Sequence, residues 1–190
     1  MPMAEEVLAE AGCGWQDIDL FACGTGPGQF TGVRISVAAA RGLALATAKP
    51  SIGVTHFEVL HAWACGRCLA SVEAPRGMAY VQPFDKDGPT GPARLIDPDA
   101  PPRDLQQETG MHVVGFAASR IAVHFEASSD NFAIHEGRFL EFEEEDFCHL
   151  FAQVAVQKFH RGVPRSRPTP LYVRAPDAAP PRHAPPAIVP

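Results

Sequence analysis

A glycine-rich turn between a short apolar run and a long helical segment is the feature that most limits how this chain can fold. The apolar run is residues 18–23 (IDLFAC), the turn is residues 24–28 with Pro27 inside it, and residues 30–48 contain few helix breakers. The helix must end before Pro50, because a proline moves the preceding residue away from the helical region. The order of strand, tight turn and helix predicts the start of an α/β layer.

The segments around this unit continue the alternation. Met3, Val7 and Leu8 lie at helical spacing before Gly12, and residues 51–54 form a second apolar run of strand length. A helix is predicted over residues 56–65. Two short buried strands separated by a helix favour parallel pairing, so the sequence predicts a mixed α/β fold.

The second half of the chain is predicted to begin with a β-hairpin. Residues 68–74 and 78–84 are strand-like runs on either side of Pro75–Gly77, a sequence typical of turns. Further predicted elements are strands at 93–96, 112–116 and 171–174 and helices at 117–125 and 143–160. The segment 176–190 contains six prolines and is predicted to contribute nothing to a core.

Charge and cysteine content restrict the class of function. The net charge of −6 over 190 residues argues against direct, phosphate-driven binding of nucleic acid, which needs a basic face. No run of apolar residues is long enough to cross a membrane, and five scattered cysteines do not form a disulfide framework. These features favour a cytoplasmic protein without membrane contact.

The glycine-rich turn allows two interpretations. Backbone N–H groups of such a turn can bind phosphate, but Gln29 stands where a dinucleotide fingerprint has its last glycine, and no lysine follows to contact a phosphate. A turn with a purely structural purpose is the better interpretation, and we predict no cofactor. A nucleotide-binding module remains the alternative.

Candidate metal ligands and catalytic carboxylates are few. His61, Cys65 and Cys68 have suitable spacing for zinc, but a structural zinc needs four ligands and no fourth is near in the sequence. Glu73 and Asp85 lie at strand ends, where surface or turn roles are the more common ones. No nucleophile, base and acid group stands out, so we predict neither a metal site nor a catalytic site.

The long helix carries two rows of small residues at four-residue spacing. One row is Gly32, Ser36 and Ala40, and the other is Ala38, Gly42 and Ala46. Small side chains allow another backbone to approach closely. Two rows on different sides predict contact with a sheet on one side and with a second helix, supplied by a protein partner, on the other.

Five segments of the chain together resemble the TsaB (YeaZ) family. Residues 26–34 (GPGQFTGVR) and 41–44 (RGLA) are similar to the GPGSFTGLR…KGLA signature of this family, and residues 50–55 (PSIGVT) to its P-x-x-GVS strand. Residues 73–76 (EAPR) with Tyr80 resemble its DARR…VY hairpin, and residues 170–177 (PLYVRAPD) its closing P-x-YLR element.

The resemblance implies a fold of the actin-like ATPase and ribonuclease-H kind with two lobes. The implied boundaries are an incomplete N-terminal lobe at 1–66, a C-terminal lobe at 67–175 and a proline-rich tail at 176–190. The N-terminal lobe is expected to lack the first strands of the family, which include an Asp-Thr motif. Gln29 replaces the usual serine, a better helix cap.

The resemblance also implies a function. Members of the family are non-catalytic partners of the paralogue TsaD, which forms N6-threonylcarbamoyladenosine beside the anticodon in tRNAs reading ANN codons. The ATPase TsaE joins the complex, a homodimer forms without TsaD, and tRNA is contacted only indirectly. A glycoprotease-like peptidase is a further alternative. The contact residues implied for this chain are Met3, Val7, Phe30, Val33, Arg34, Ser36, Val37, Ala40 and Arg41.

Overall fold

Helices and strands alternate through the part of the chain that the computed structural model describes, which is residues 2–64, 66–105, 111–125, 134–135, 144–162 and 167–174. The first elements are α1 (Pro2–Glu10), β1 (Phe21–Gly24), α2 (Phe30–Thr47), β2 (Ser51–Val54) and α3 (His56–Ala64). The later ones are β3 (Cys68–Glu73), β4 (Ala79–Asp85), β5 (Gly88–Pro89), β6 (Arg94–Ile96), β7 (His112–Gly115), α4 (Ala118–Ala122), β8 (Ile134–His135) and α5 (Glu144–His160). Single 3₁₀ turns lie at Trp15–Asp17 and Pro75–Gly77.

The predicted mixed α/β class is confirmed. Some elements have other bounds than predicted, one predicted strand is wrong, and two short strands were not predicted. Helix α4 covers five residues of the nine predicted, and β1 begins at Phe21 rather than at residue 18. The strand predicted at 171–174 is wrong: this segment belongs to no β-ladder of the described residues. The two-residue strands β5 and β8 were not predicted: β5 pairs with β4 across a tight turn in a segment rich in Pro, Gly and Asp, and β8 pairs with the more distant β7. The predicted tail lies outside the described residues.

The smaller sheet consists of β1 and β2. The two strands pair in parallel, with Phe21 opposite Ser51 and Gly24 opposite Val54. Helix α2 makes the crossover between them and covers one face, where its Val37 and Ala40 are buried with Cys23 of β1. The parallel pairing expected from the strand–turn–helix pattern is therefore confirmed.

The larger sheet is built around β3. Strand β4 pairs with it in antiparallel orientation, as the hairpin prediction required, and β7 pairs in parallel on the other side. Strands β5 and β6 both pair with β4, and β8 pairs with β7. At the hairpin turn Arg76 and Gly77 have φ of 64° and 72°, so Pro75–Gly77 closes a 3₁₀ turn rather than a two-residue loop.

Helix α3 connects the two sheets. Its Phe57 and Leu60 are fully buried against the larger sheet, together with Ala70, Phe84 and Val114. Its Val59 is buried on another side against β2 and α5. The predicted apolar stripe of the last helix is confirmed, because Phe147, Leu150, Phe151, Val154 and Phe159 all belong to this second cluster.

A polar network fixes the start of α3. The Thr55 N–H donates to Glu58 Oε2 at 2.7 Å, and the Glu58 N–H donates to Thr55 Oγ1 at 3.1 Å, which is a capping box. Lys158 of α5 donates through Nζ to Glu58 Oε1 and to the Gly53 carbonyl, both at 2.7 Å. The side chains of Glu58 and Lys158 are about three-quarters buried, at 26% and 22% exposure. This pair therefore joins β2, α3 and α5.

Replacing Glu58 should destabilise the protein more than replacing Lys158. Glu58→Ala removes the capping box and leaves a partly buried ammonium without its carboxylate, with an expected cost of about 2–3 kcal/mol. Lys158→Met keeps the alkyl stem and leaves the carboxylate with its two Thr55 hydrogen bonds, so about 1 kcal/mol is expected. Urea unfolding followed by circular dichroism measures both.

Asp19→Asn is the matched control, since Asp19 is 93% exposed and lies 3.6 Å from Lys49. An exposed ion pair of this kind contributes little to stability, so the unfolding midpoint should not move. Equal midpoints for Glu58→Ala and the unaltered protein would show that the network does not hold the two sheets together.

Candidate functional site

The glycine-rich turn is the point where three separate segments are tied together. The Thr25 N–H donates to the Val54 carbonyl at 2.9 Å, and the His56 N–H donates to the Gly26 carbonyl at 2.9 Å. The Leu171 N–H donates to the Thr25 carbonyl at 2.8 Å. These backbone groups are engaged within the chain, which is the structural role predicted for the turn.

Two glycines are required by the geometry of this junction. Gly26 has φ of +95°, a conformation that residues with a Cβ rarely adopt. A Cβ on Gly53 in β2 would lie 2.5 Å from Thr25 Cγ2, closer than such atoms can approach. The motif glycines therefore let the turn fold tightly against β2.

A groove of about 930 Å³ lies beside the turn. Its walls come from the start of α2, from the β3–β4 turn and from the segment 171–174. Three of the segments that carry the family resemblance thus meet at one place, although they are far apart in the sequence. The residues that define it chemically are Phe30, Arg34, Glu73, Tyr80, Tyr172 and Arg174.

Arg34 contacts two aromatic rings at the edge of this groove, and the centres of these rings lie 5.3 Å from each other. Its guanidinium carbon lies 3.7 Å from the centre of the Phe30 ring and 5.7 Å from that of Tyr172. Its Nε donates to the Tyr172 hydroxyl at 2.8 Å. Cation–π contact and the hydrogen bond together fix the guanidinium while leaving it at the surface. Sequence reasoning missed Tyr172, because its partners lie at the other end of the chain.

The inner face of α2 packs on the chain's own sheet. Val37 and Ala40 are 4% and 6% exposed against β1, and the Ser36 hydroxyl donates to the Gly24 and Val33 carbonyls at 2.8 and 3.0 Å. Ser36, Val37 and Ala40 were among the predicted contact residues. Val37 and Ala40 lie in the core, where a partner cannot contact them directly. The small side chains of Ser36 and Ala40 explain the close approach of α2 to β1.

The opposite side of α2 is apolar and exposed. We call it the outer face of α2, and its exposed residues are Thr31, Ile35, Ala38, Gly42, Leu45 and Ala46. Ile35 is 65% and Leu45 83% exposed, and none of the six side chains carries a charge. The second small-residue row lies here, so the two rows do face different sides. Ile35 and Leu45 were not among the contact residues named individually, although their spacing from Ala38 and Gly42 would have indicated them.

The remaining predicted contact residues lie at the surface. Met3 and Val7 of α1 are 78% and 59% exposed, and α1 buries none of its residues. Phe30 and Arg34 are exposed at the groove, and Val33 is half-buried beside them. Arg41 is half-buried, and its Nε is shielded from solvent without a hydrogen-bond acceptor among the described residues.

Three of the candidate metal ligands and carboxylates take part in ring stacking, core packing or a turn. His61 stacks on Phe84 with 4.7 Å between ring centres, Cys68 is fully buried in β3, and Cys65 lies outside the described residues. Across the described ranges no group of three His, Cys, Asp or Glu side chains could hold a metal ion. Asp85 accepts hydrogen bonds from the N–H groups of Asp87 and Gly88, which is a turn role.

No described helix is long and apolar enough to span a membrane.

The chain is an α/β protein with a glycine turn that serves as a structural junction and a long helix that leaves an apolar face uncovered. Its residues 1–159 match the family described as "TsaD: tRNA N6-adenosine threonylcarbamoyltransferase", and the chain belongs to this family. Within it the chain is TsaB/YeaZ-like, as its motifs predicted.

Two relatives are named tRNA threonylcarbamoyladenosine biosynthesis protein TsaB. The protein from Escherichia coli K12 is 38% identical over 92 residues, which is 46% of this chain and 40% of the relative. The protein from Haemophilus influenzae is 40% identical over 60 residues, 32% of this chain and 25% of the relative. The chain therefore spans less than half the length of these relatives. A tRNA N6-adenosine threonylcarbamoyltransferase of Erythrobacter litoralis is 35% identical over 80 residues, 42% of this chain and 23% of that relative.

A solved structure extends the likeness to most of the chain. It is described as an uncharacterized protein with similarity to peptidase YeaZ from Pseudomonas aeruginosa. The TM-score is 0.64 at 25% identity, and the match covers 91% of this chain and 82% of that one.

The described cysteines should divide into two reactive and two protected thiols. Cys13 and Cys148 are exposed, while burial raises the pKa of Cys23 and raises that of Cys68 to about 12. At pH 8 only about one Cys68 side chain in ten thousand would be a thiolate, the form that reacts. Brief alkylation with iodoacetamide, followed by peptide mass spectrometry, should label Cys13 and Cys148 and spare the other two.

Denaturant is the control for this experiment, since unfolding should expose Cys23 and Cys68 to the same reagent. Labelling of native Cys68 at the rate of Cys148 would mean that β3 is not buried as described.

Proposed function

We propose that this chain is a non-catalytic partner subunit that binds a TsaD-like paralogue and supports the formation of N6-threonylcarbamoyladenosine in tRNAs reading ANN codons. The observation that carries the proposal is the outer face of α2, an uncharged surface on an 18-residue helix. A second helix from a paralogue of similar fold can pack closely there, because Ala38, Gly42 and Ala46 leave room for its backbone.

The energetics favour a protein partner for this face. Burying a side chain such as Ile35 or Leu45 stabilises an association by about 1.5–3 kcal/mol relative to leaving it exposed. Met3 and Val7 of α1 add apolar area to the surface that a partner can cover. Three other predicted contact residues act indirectly, because they pack α2 against its sheet and so set its position: Val37, Ala40 and Ser36.

The proposal includes the wider assembly implied by the resemblance. A TsaE-like ATPase joins the complex, tRNA is contacted only indirectly, and a homodimer forms through the same face when TsaD is absent. The complex works in the cytoplasm. The chain folds as two actin-like lobes, 1–66 and 67–175. The names of two relatives support a place in threonylcarbamoyladenosine biosynthesis, and the other points rest on the resemblance of the motifs.

A large side chain at Gly42 should block binding of TsaD without unfolding the chain. A Cβ on Gly42 meets nothing within 4 Å, and tryptophan is a better helix former than glycine. Forcing two packed helices apart costs about 1–3 kcal/mol, which corresponds to a loss of affinity of about tenfold to a hundredfold. Calorimetry with the TsaD-like paralogue of the same organism measures the affinity, and circular dichroism checks the fold.

Two further variants make the result specific. Ala152→Trp places the same ring on the exposed side of α5 and should bind like the unaltered chain. Ala40→Trp should unfold the protein instead, because Ala40 is 6% exposed against β1. If Gly42→Trp and Leu45→Glu remain folded and bind TsaD at full strength, the outer face of α2 is not the docking surface. Turnover of a peptide or of ATP by the chain alone would overturn its non-catalytic role.

A further inference from the structure

The groove beside the glycine turn is open rather than enclosed. Its aromatic walls remain in contact with solvent, with Phe30 39% and Tyr172 46% exposed. Sites for small molecules bury most of the ligand's surface, whereas grooves that bind a passing peptide leave one side uncovered. The shape therefore favours an extended polypeptide as occupant.

Arg34 supplies an oriented cation at the rim of this groove. Phe30 and Tyr172 hold its guanidinium, and Nε is used by the Tyr172 hydroxyl. Among the described residues no carboxylate pairs with Arg34, and its two terminal amino groups make no hydrogen bond. A planar guanidinium fixed in this way is suited to a carboxylate, which it can bind through two parallel hydrogen bonds.

The segment that forms one wall has unused backbone groups. Leu171 is tied to the turn through its N–H, but Tyr172 and Val173 make no backbone hydrogen bond within the described ranges. The chain bends at Val173 and Arg174, so these groups can form single hydrogen bonds with a bound peptide but do not form the edge of a sheet. The apolar side chains of Val33, Leu171 and Val173 lie along the same groove.

We infer that this groove binds an extended acidic segment of a partner protein, in which a carboxylate pairs with Arg34 and a neighbouring apolar side chain packs along the groove. The charge distribution supports this occupant, because Arg34 places a cation that no carboxylate pairs with among the described residues at the rim of the groove. Glu73 on the hairpin side disfavours a long run of acids. The groove is separate from the outer face of α2, so the inference does not depend on the binding of TsaD there.

Selection of displayed peptides on the 190-residue chain tests this inference. A library of random twelve-residue peptides is selected on the unaltered protein and counter-selected on Arg34→Gln. We expect enrichment of an Asp or Glu next to an apolar residue. A synthetic copy of the selected peptide should bind at least tenfold more weakly to Arg34→Gln, and a copy with Asn or Gln for the acid should bind the two proteins equally.

Two control variants and a competing anion show whether the peptide occupies the groove. Tyr172→Phe keeps the ring but removes the hydroxyl that accepts a hydrogen bond from Arg34 Nε. It should weaken the binding of the acidic peptide by a few fold and leave the melting temperature of the protein unchanged. Gly42→Trp should leave peptide binding intact, whatever its effect on TsaD. Selection without enrichment of acids, equal binding by Arg34→Gln, or complete displacement of the peptide by 10 mM inorganic phosphate would each overturn the inference, the last in favour of a small-anion site.

Discussion

The position of helix α3 is the constraint on which the rest of the structure depends. Its apolar residues lie in two separate clusters, one against the larger sheet and one against β2 and α5. Glu58 at its start fixes the helix to Thr55 and, through Lys158, to the last helix. Because His56 also bonds the glycine turn, the turn and the start of α2 take their places from α3. The sites proposed at the surface are therefore set by an interaction in the interior.

The residues of helix α2 have two roles, which depend on the side of the helix where they lie. The inner row of small residues brings it close to β1, and this closeness leaves the outer row facing away from the chain. The isolated chain must keep Ile35 and Leu45 in water, which is unfavourable, and exposed apolar surfaces of this kind are typical of interaction sites. At one end of the same helix, Phe30 and Arg34 contribute to the groove instead.

Local sequence patterns predicted the long elements and failed where a contact is non-local. Periodicity and proline placement were sufficient for α2 and α5, and the strand–turn–helix pattern for the parallel pair. The two small-residue rows of α2 have the same spacing. The sequence therefore predicted two contacts, but it did not determine which row packs on the sheet. The segment 171–174 has the composition of a strand, but its only backbone partner described is Thr25. Nothing near Tyr172 in the sequence indicates Arg34, 138 residues earlier.

That last contact determines when the groove can exist during synthesis. Chains are made from the N-terminus, and domains fold as their segments leave the ribosome. The turn and α2 emerge early, whereas Leu171 and Tyr172 reach Thr25 and Arg34 only after all the intervening residues have been made. Closing a loop of this length has an entropic cost, so the contact forms after the local ones. The groove is therefore complete only on chains that have been translated past Tyr172, and it distinguishes those chains from shorter ones.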